Sequence, residues 1–263
     1  MDYQCIEVRK TPERVGIITL NRPERKNALS IQLRQEISDC LKDWVNAPDV
    51  GVVIFTGAGG SFSAGFDLKE FSKPELMEEI YTSSAKYHRD VWNFPKPTIA
   101  AVKGHALGGG FDLTTLCDIR ICSESAIFGH PEIKFGAPPL FTPLRWIVGH
   151  GMARDLCLTG RRIDSSEAYR IGLVSEVVQE DTLLERALQI ARTILEAPLD
   201  TLSVTKRYMI QDAGLGFEES FVNEHDKPFQ AVLPGCVNLL IRRSFAGGRT
   251  PRKPPQTGVP DAL

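Results

Sequence analysis

The sequence predicts an α/β protein: a core of alternating strands and helices, followed by a mainly helical C-terminal part. Two observations carry this. Short β-branched apolar runs alternate with amphipathic stretches over roughly the first 140 residues, and helical periodicity dominates afterwards. The 263 residues are 42% hydrophobic and 24% charged, with a formal net charge of −2. That is enough apolar material for a large core, and it gives no electrostatic case for nucleic acid or an anionic membrane.

In chain order, VGIITL (15–20) and VGVVIFTG (50–57) read as buried strands. Between them, residues 30–46 have a helical pattern, with Ile31, Leu33, Ile37, Leu41, Trp44 and Val45 on one face and Ser30 placed to cap. Strand, helix, strand implies a right-handed crossover. TIAAVKG (98–104) is a further strand that runs into a glycine cluster, and IRICSES and AIFGH supply strand-like pieces around 119–130. Helices are expected at 152–158, 165–171, 182–197 and 202–211. A last one is expected over 218–245, interrupted at LPG (233–235), and the Pro- and Gly-rich tail (247–263) is expected to be loose.

Six cysteines, at 5, 40, 117, 122, 157 and 236, form no C-x-x-C pair and read as buried small hydrophobes in a reducing compartment. The charged start MDYQCIEVRK lacks the apolar run of a signal peptide, and no apolar stretch approaches the roughly 20 residues that span a bilayer. A cytoplasmic location is expected.

HALGGGFDL (105–113) sets three glycines ahead of a helical segment. Glycine loses more chain entropy on folding than any other residue, so the cluster needs a reason. One reading is an anion site or half an oxyanion hole, because a helix N-terminus carries unpaired N–H groups and a positive dipole end. The other is close packing of the helix against a neighbouring strand. A second loop, TGAGGSFSAGFDLKEF (56–71), also follows a strand and leads toward a helix. It is no dinucleotide fingerprint, because Phe62 falls where the third glycine belongs, and it has neither G-K-[ST] nor G-x-S-x-G. Ser61 and Ser63 read as turn residues.

Two acidic residues stand near these loops. Asp112 falls in the first turn after the glycines, where a carboxylate favours the helix dipole, and Glu132 follows Pro131 in a turn, where it could simply be solvated. His105 and His130 lie nearby, but no H-E-x-x-H or comparable spacing links the histidines, so no metal is expected. Tyr81, Trp92 and Phe94 fit a core at least as well as a channel.

SFSAGFDLKEF, GHALGGGFDLTTLCDIRI and FGHPEIKFGAP, in that order, resemble the crotonase (enoyl-CoA hydratase/isomerase) family. ITLNRPERKNALS and LTGRRIDSSEAYRIGLVSEVV extend the resemblance over about residues 10–180. It implies a crotonase-like fold, in which repeated ββα units form a spiral core (1–198) and a helical C-terminal region (199–263) joins subunits into homotrimers or hexamers. It implies an acyl-CoA substrate, with coenzyme A as part of it and no separate cofactor. Phe66 N–H and Gly109 N–H would hold the thioester carbonyl, each worth about 3 kcal/mol to an enolate-like transition state.

The same resemblance puts Lys26, Ala28, Ala64, Gly65, Asp67, Leu68, Lys69 and Gly108 along the substrate. Arg25, Lys26 and Lys69 would meet the phosphates, and the backbone near Ala28 and Ala64 the adenine. Asp112 and Glu132 match the paired glutamates of family hydratases, implying that Asp112 activates water and Glu132 protonates Cα. Asp112 departs from the usual Glu, shortening the reach by about 1.5 Å. KFGAPPLFTPLRW (134–146) departs from the usual Gly-rich run and implies a differently shaped acyl pocket. The expected activity is enoyl-CoA hydration. The alternatives are Δ3,Δ2-enoyl-CoA isomerisation, a cyclic dienoyl-CoA hydratase, a thioester hydrolase, a decarboxylase, or acyl-CoA binding without turnover.

Overall fold

The computed structural model describes residues 2–211, together with Gly214 and Glu219. Strand β1 (Ile6–Lys10) pairs antiparallel with β2 (Val15–Leu20), and helix α1 (Ile31–Trp44) then crosses to β3 (Val52–Gly57), which pairs parallel with β2. Ser30 caps α1 by accepting the Leu33 N–H, as the sequence leads one to expect. Helices α2 (Leu68–Phe71) and α3 (Met77–Trp92) precede β4 (Thr98–Val102). Next come β5 (His105–Leu107), α4 (Gly109–Leu116), β6 (Ile119–Ser123) and β7 (Ile127–Gly129). Helix α5 (Thr142–Thr159), β8 (Arg162–Asp164), α6 (Ser165–Arg170), β9 (Glu176–Val178), α7 (Leu183–Ile194) and α8 (Leu199–Gln211) complete the described chain.

Six strands form one sheet in the order β1-β2-β3-β4-β6-β9, parallel from β2 onward, and β5, β7 and β8 form a second, smaller sheet. The continuous apolar runs of β2 to β4 follow from burial on both faces. Ile17, Ile54, Ile99 and Ile121 pack with Leu183, Ala187 and Ala191 of α7. Their neighbours Ile18, Phe55, Ala100 and Cys122 point the other way, into the larger core that includes Leu33, Leu41 and Tyr87. Cys5, Cys40, Cys117, Cys122 and Cys157 are free and buried, and burial pushes the thiols of Cys40, Cys117 and Cys122 up to about 12.

Several elements differ from expectation, among them α5, which begins at Thr142 where the pattern predicts a helix only from Met152, and the three-residue β8, which the pattern does not predict. β1 is a five-residue edge strand with only Ile6 buried, too short and too exposed to announce itself. β5 is three residues long, below what periodicity can register. α3 buries only Ile80, Tyr87 and Val91 of its sixteen residues, too sparse a stripe to announce a helix. Phe94 is core, Trp92 stacks on Trp146 at 5.5 Å, and Tyr81 is exposed. The first compact unit runs Met1–Ile210 and takes in α8, whose Lys206 is buried against Asp118 (2.8 Å). The helix expected over 218–245, Cys236 and the 247–263 tail lie outside the described residues.

Candidate active site

Both glycine-bearing loops leave the C-terminal end of a strand, and they lie side by side because the first pairs with β5. Ser63 N–H donates to His105 O (2.8 Å), and Leu107 N–H donates to Ser63 O (3.0 Å). This contact explains much of the glycine cluster. A Cβ on Gly110 would sit 2.5 Å from Ser63 O, and one on Gly65 would sit 2.8 Å from Leu107 O. Gly108, the residue before α4, has φ 51° and ψ −126°, a conformation that L side chains rarely adopt. Close packing accounts for Gly110 and backbone conformation for Gly108, while Gly109 fills the slot facing Leu29 and the Phe66 ring.

The segment 22–29 clamps the first loop. Asn27, fully buried at φ 54°, donates through its side-chain amide to Ala58 O and Ser61 O, while its Oδ1 accepts the Arg22 N–H. Ser63 Oγ donates to Asn27 O and accepts Gly65 N–H. Arg22 donates to Ala28 O and pairs with Asp67 at 2.9 Å, and Asp67 in turn caps α2. Arg34, fully buried, donates to Leu29 O at 2.6 Å and lies 4.7 Å over the Phe66 ring. Desolvation pulls its pKa below the usual guanidinium range. Phe66 is therefore pinned from behind by a cation. Among the described residues, neither Phe66 N–H nor Gly109 N–H has a backbone or side-chain acceptor within the chain.

A cavity of about 330 Å³ is lined by both of these residues. Ala64, Gly65, Phe66, Leu68, Gly108, Gly109, Asp112 and Glu132 all line it, so eight residues singled out in the sequence converge on one space. Four do not line it. Lys26 and Lys69 are exposed, Ala28 is buried behind the loop, and Asp67 is held by Arg22. Arg25 is exposed as well, and none of the three cations contacts the cavity. Phe71, Pro131, Phe135 and Ala137 complete the lining, with Leu68 and Phe135 largely exposed at the mouth. Phe135 and Ala137 come from the Pro-rich run that departs from the family pattern.

Asp112 sits one turn into α4, and Glu132 in a 3-10 turn over Pro131–Phe135. His130 lies between them. Its Nδ1 is 2.8 Å from Glu132 Oε1 and 3.8 Å from Asp112 Oδ1. His88 of α3 brings Nε2 to 3.8 Å from Asp112 Oδ2. Asp112 Oδ1, Glu132 Oε2, His130 Nε2 and Tyr87 Oη are buried with no hydrogen-bond partner among the described residues. Buried polar groups are normally paired, and unpaired ones cost about 1–3 kcal/mol each, so four beside one cavity mark it as a place for chemistry. The carboxylates are felt nearby: burial and then Asp112 push the Tyr87 phenol well above its ordinary value. Burial, Asp112 and Glu132 push the Cys157 thiol up to about 11, which keeps it a thiol at neutral pH. His88 and Tyr87 went unnoticed in the sequence because the helix that carries them did.

A family model described as enoyl-CoA hydratase/isomerase matches residues 10–226. The chain belongs to the enoyl-CoA hydratase/isomerase family. It is 40% identical over 209 residues to a relative from Mycobacterium bovis named as a probable enoyl-CoA hydratase, covering 78% of this chain and 81% of the relative. It is 42% identical over 209 residues to another so named from Rhizobium meliloti, with the same coverage. A crystal structure of enoyl-CoA hydratase from Bacillus anthracis superposes with a TM-score of 0.87 at 33% identity, over 95% of this chain and 98% of that one. The crotonase fold of the family is the fold of this chain. Among the described residues no helix is long and apolar enough to cross a membrane, and no group of three or more His, Cys, Asp or Glu side chains is arranged to hold a metal ion.

Proposed function

We propose that this family member is an enoyl-CoA hydratase, adding water across the 2,3 double bond of an acyl-CoA thioester. The observation that carries the reading is the convergence of two free main-chain donors, Phe66 N–H and Gly109 N–H, and two carboxylates, Asp112 and Glu132, on one cavity. The thioester oxygen is received by the two N–H groups. As water attacks Cβ, charge grows on that oxygen and both donors bind it more strongly, each contributing about 3 kcal/mol to the transition state. Asp112 takes a proton from the attacking water, and Glu132 delivers one to Cα. The reaction is redox-neutral, and these four groups supply its acid, base and oxyanion stabilisation without a metal or redox cofactor.

Exposed Arg25, Lys26 and Lys69 beside the clamp segment are the cations we assign to the coenzyme A phosphates, and the backbone at Ala28 and Ala64 to its adenine. Gly65, Leu68 and Gly108 shape the walls along the substrate, and Asp67, tied to Arg22 and capping α2, supports the loop without lining the cavity. Assembly into homotrimers or hexamers through the C-terminal region, and a cytoplasmic location, belong to the same reading. The free buried cysteines agree with a reducing compartment.

Isomerisation between the Δ3 and Δ2 positions is the second reading. It needs a single carboxylate as proton shuttle, and it is favoured by the shorter Asp112 beside a Glu132 whose Oε1 is hydrogen-bonded to His130 Nδ1. Incubation with a panel of linear, branched and cyclic enoyl-CoA esters, following enoyl absorbance, separates the two. A hydratase forms 3-hydroxyacyl-CoA and loses turnover in Asp112→Asn. An isomerase moves the double bond and tolerates that change. No conversion of any ester overturns both.

A further inference from the structure

Asp112 and Glu132 come from different elements, yet one imidazole reaches both through a single atom. His130 is fully buried, its ring packs on Phe111 with centroids 4.6 Å apart, and its Nδ1 faces Glu132 Oε1 at 2.8 Å and Asp112 Oδ1 at 3.8 Å. Among the described residues neither carboxylate forms an ion pair with Lys or Arg; their ion-pair neighbours are His130 and, for Asp112, His88. Tyr87 from α3 and Cys157 from α5 also feel the carboxylates, and both stay protonated at neutral pH. Among the described residues His130 is the side chain hydrogen-bonded to Glu132, and an imidazole can both accept and release a proton.

Hydration leaves the two carboxyl groups in the wrong states for the next cycle. When the water oxygen bonds to Cβ, one water O–H bond breaks and Asp112 gains that proton. The π pair of the double bond becomes a new Cα–H bond, with the proton from Glu132. Asp112 ends protonated and Glu132 ionised, the reverse of the starting arrangement. We propose, on the hydratase reading above, that His130 returns the proton from Asp112 to Glu132 between turnovers. The Asp112 O–H bond breaks as an N–H bond forms at His130 Nδ1; that N–H bond then breaks as O–H forms at Glu132 Oε1. One proton moves, nothing is oxidised, and no co-reactant is consumed.

The geometry suits this order. The Nδ1 to Glu132 distance is already that of a hydrogen bond, while the Asp112 gap exceeds one by about 0.8 Å, within reach of a side-chain rotation. A carboxyl group turns readily about its last torsion, and Glu132 Oε2 lies on the Gly108 side. A half-turn carries the returned proton from the imidazole to the cavity. His130 acts through Glu132 and Asp112, so it is a positioning and relay residue.

The test is rapid mixing of His130→Gln with enoyl-CoA in several-fold excess over sites. Glutamine can still hydrogen-bond Glu132 but cannot carry the proton. The expected result is a burst of one product per site at close to the wild-type rate, followed by a steady state slower by roughly 10- to 100-fold. Because the return step follows product formation, kcat falls while kcat/KM stays within about threefold. A first turnover slowed as much as the steady state, or no slowing at all, overturns the relay. Should His130→Gln fail to fold, His130→Ala decides: imidazole added to it restores the steady-state rate by at least about tenfold if the relay operates, and no restoration overturns it. An active wild type without these signatures removes the relay alone. A wild type that hydrates no enoyl-CoA removes the hydratase reading too.

Discussion

The two walls of the cavity are built on opposite plans. The wall made of main chain, from Ala64 to Phe66 and from Gly108 to Gly109, is braced from behind by satisfied hydrogen bonds through Asn27, Ser63, Arg22 and Arg34. The facing wall has Asp112 and Glu132 with His130 and Tyr87 buried behind them, and these four side chains hold buried polar atoms without a hydrogen-bond partner among the described residues. On the proposed reading, the residues of the first serve stability and function together. The second carries the carboxylates we assign to the acid and base steps, and their burial is unfavourable to the fold, so on that reading function and stability oppose each other there.

Substitutions that separate the two plans test the comparison. The largest effect is expected from Glu132→Gln, which keeps the shape and removes the acid. Turnover should fall by roughly 10²- to 10⁴-fold in the enoyl absorbance assay, while the melting temperature holds or rises. A large loss of stability would show that the carboxylate wall is structural after all. Gly110→Ala comes next. The new methyl would meet Ser63 O at 2.5 Å, so the loops must separate, at a cost of about 1–3 kcal/mol. Activity and melting temperature should drop together, and a variant that loses only activity would contradict the bracing argument.

Asn27→Ala should act chiefly on stability. It leaves Ala58 O, Ser61 O and Arg22 N–H without their side-chain partner, at about 1–3 kcal/mol for each that stays buried. Thermal denaturation should move down by several degrees, with the remaining folded enzyme still turning over. The smallest effect belongs to a pair remote from both walls. The Arg186 hydrogen bonds hold the Glu176 carboxyl below its usual range, so the pair stabilises the folded state above the unfolded value of about 4.3 and ceases to do so as pH falls through the folded one. Glu176→Gln should lower the melting temperature slightly at pH 7 and not at pH 3, since exposed pairs are worth little.

Legibility in the sequence followed the same division. The braced wall was readable in outline, because glycines after strands are a local signal and Ser30, Gly109 and Asp112 stand where helix-start chemistry puts them. Its bracing was not, since Asn27 and Ser63 meet across 36 residues of chain. The reactive wall was legible only as isolated candidates. Nothing in HRD or GHPE says that His88 and His130 approach the same aspartate, and α3 is too polar to register as a buried helix at all.

By itself the sequence determined the long inner strands β2, β3, β4 and β6, most of the helices and the candidate carboxylates, since apolar periodicity and helix capping depend on neighbours a few residues apart. The tertiary structure alone decided that, among the described residues, two N–H groups of cavity-lining residues remain unpaired, that Asp67 is tied to Arg22 while Lys26 and Lys69 face solvent, and that one imidazole approaches both Asp112 and Glu132. Those facts depend on which loops the pairing of Ser63 with β5 brings side by side, and on the α3 and α4 packing that sets His88 beside Asp112. Such long-range contacts leave no period in the chain.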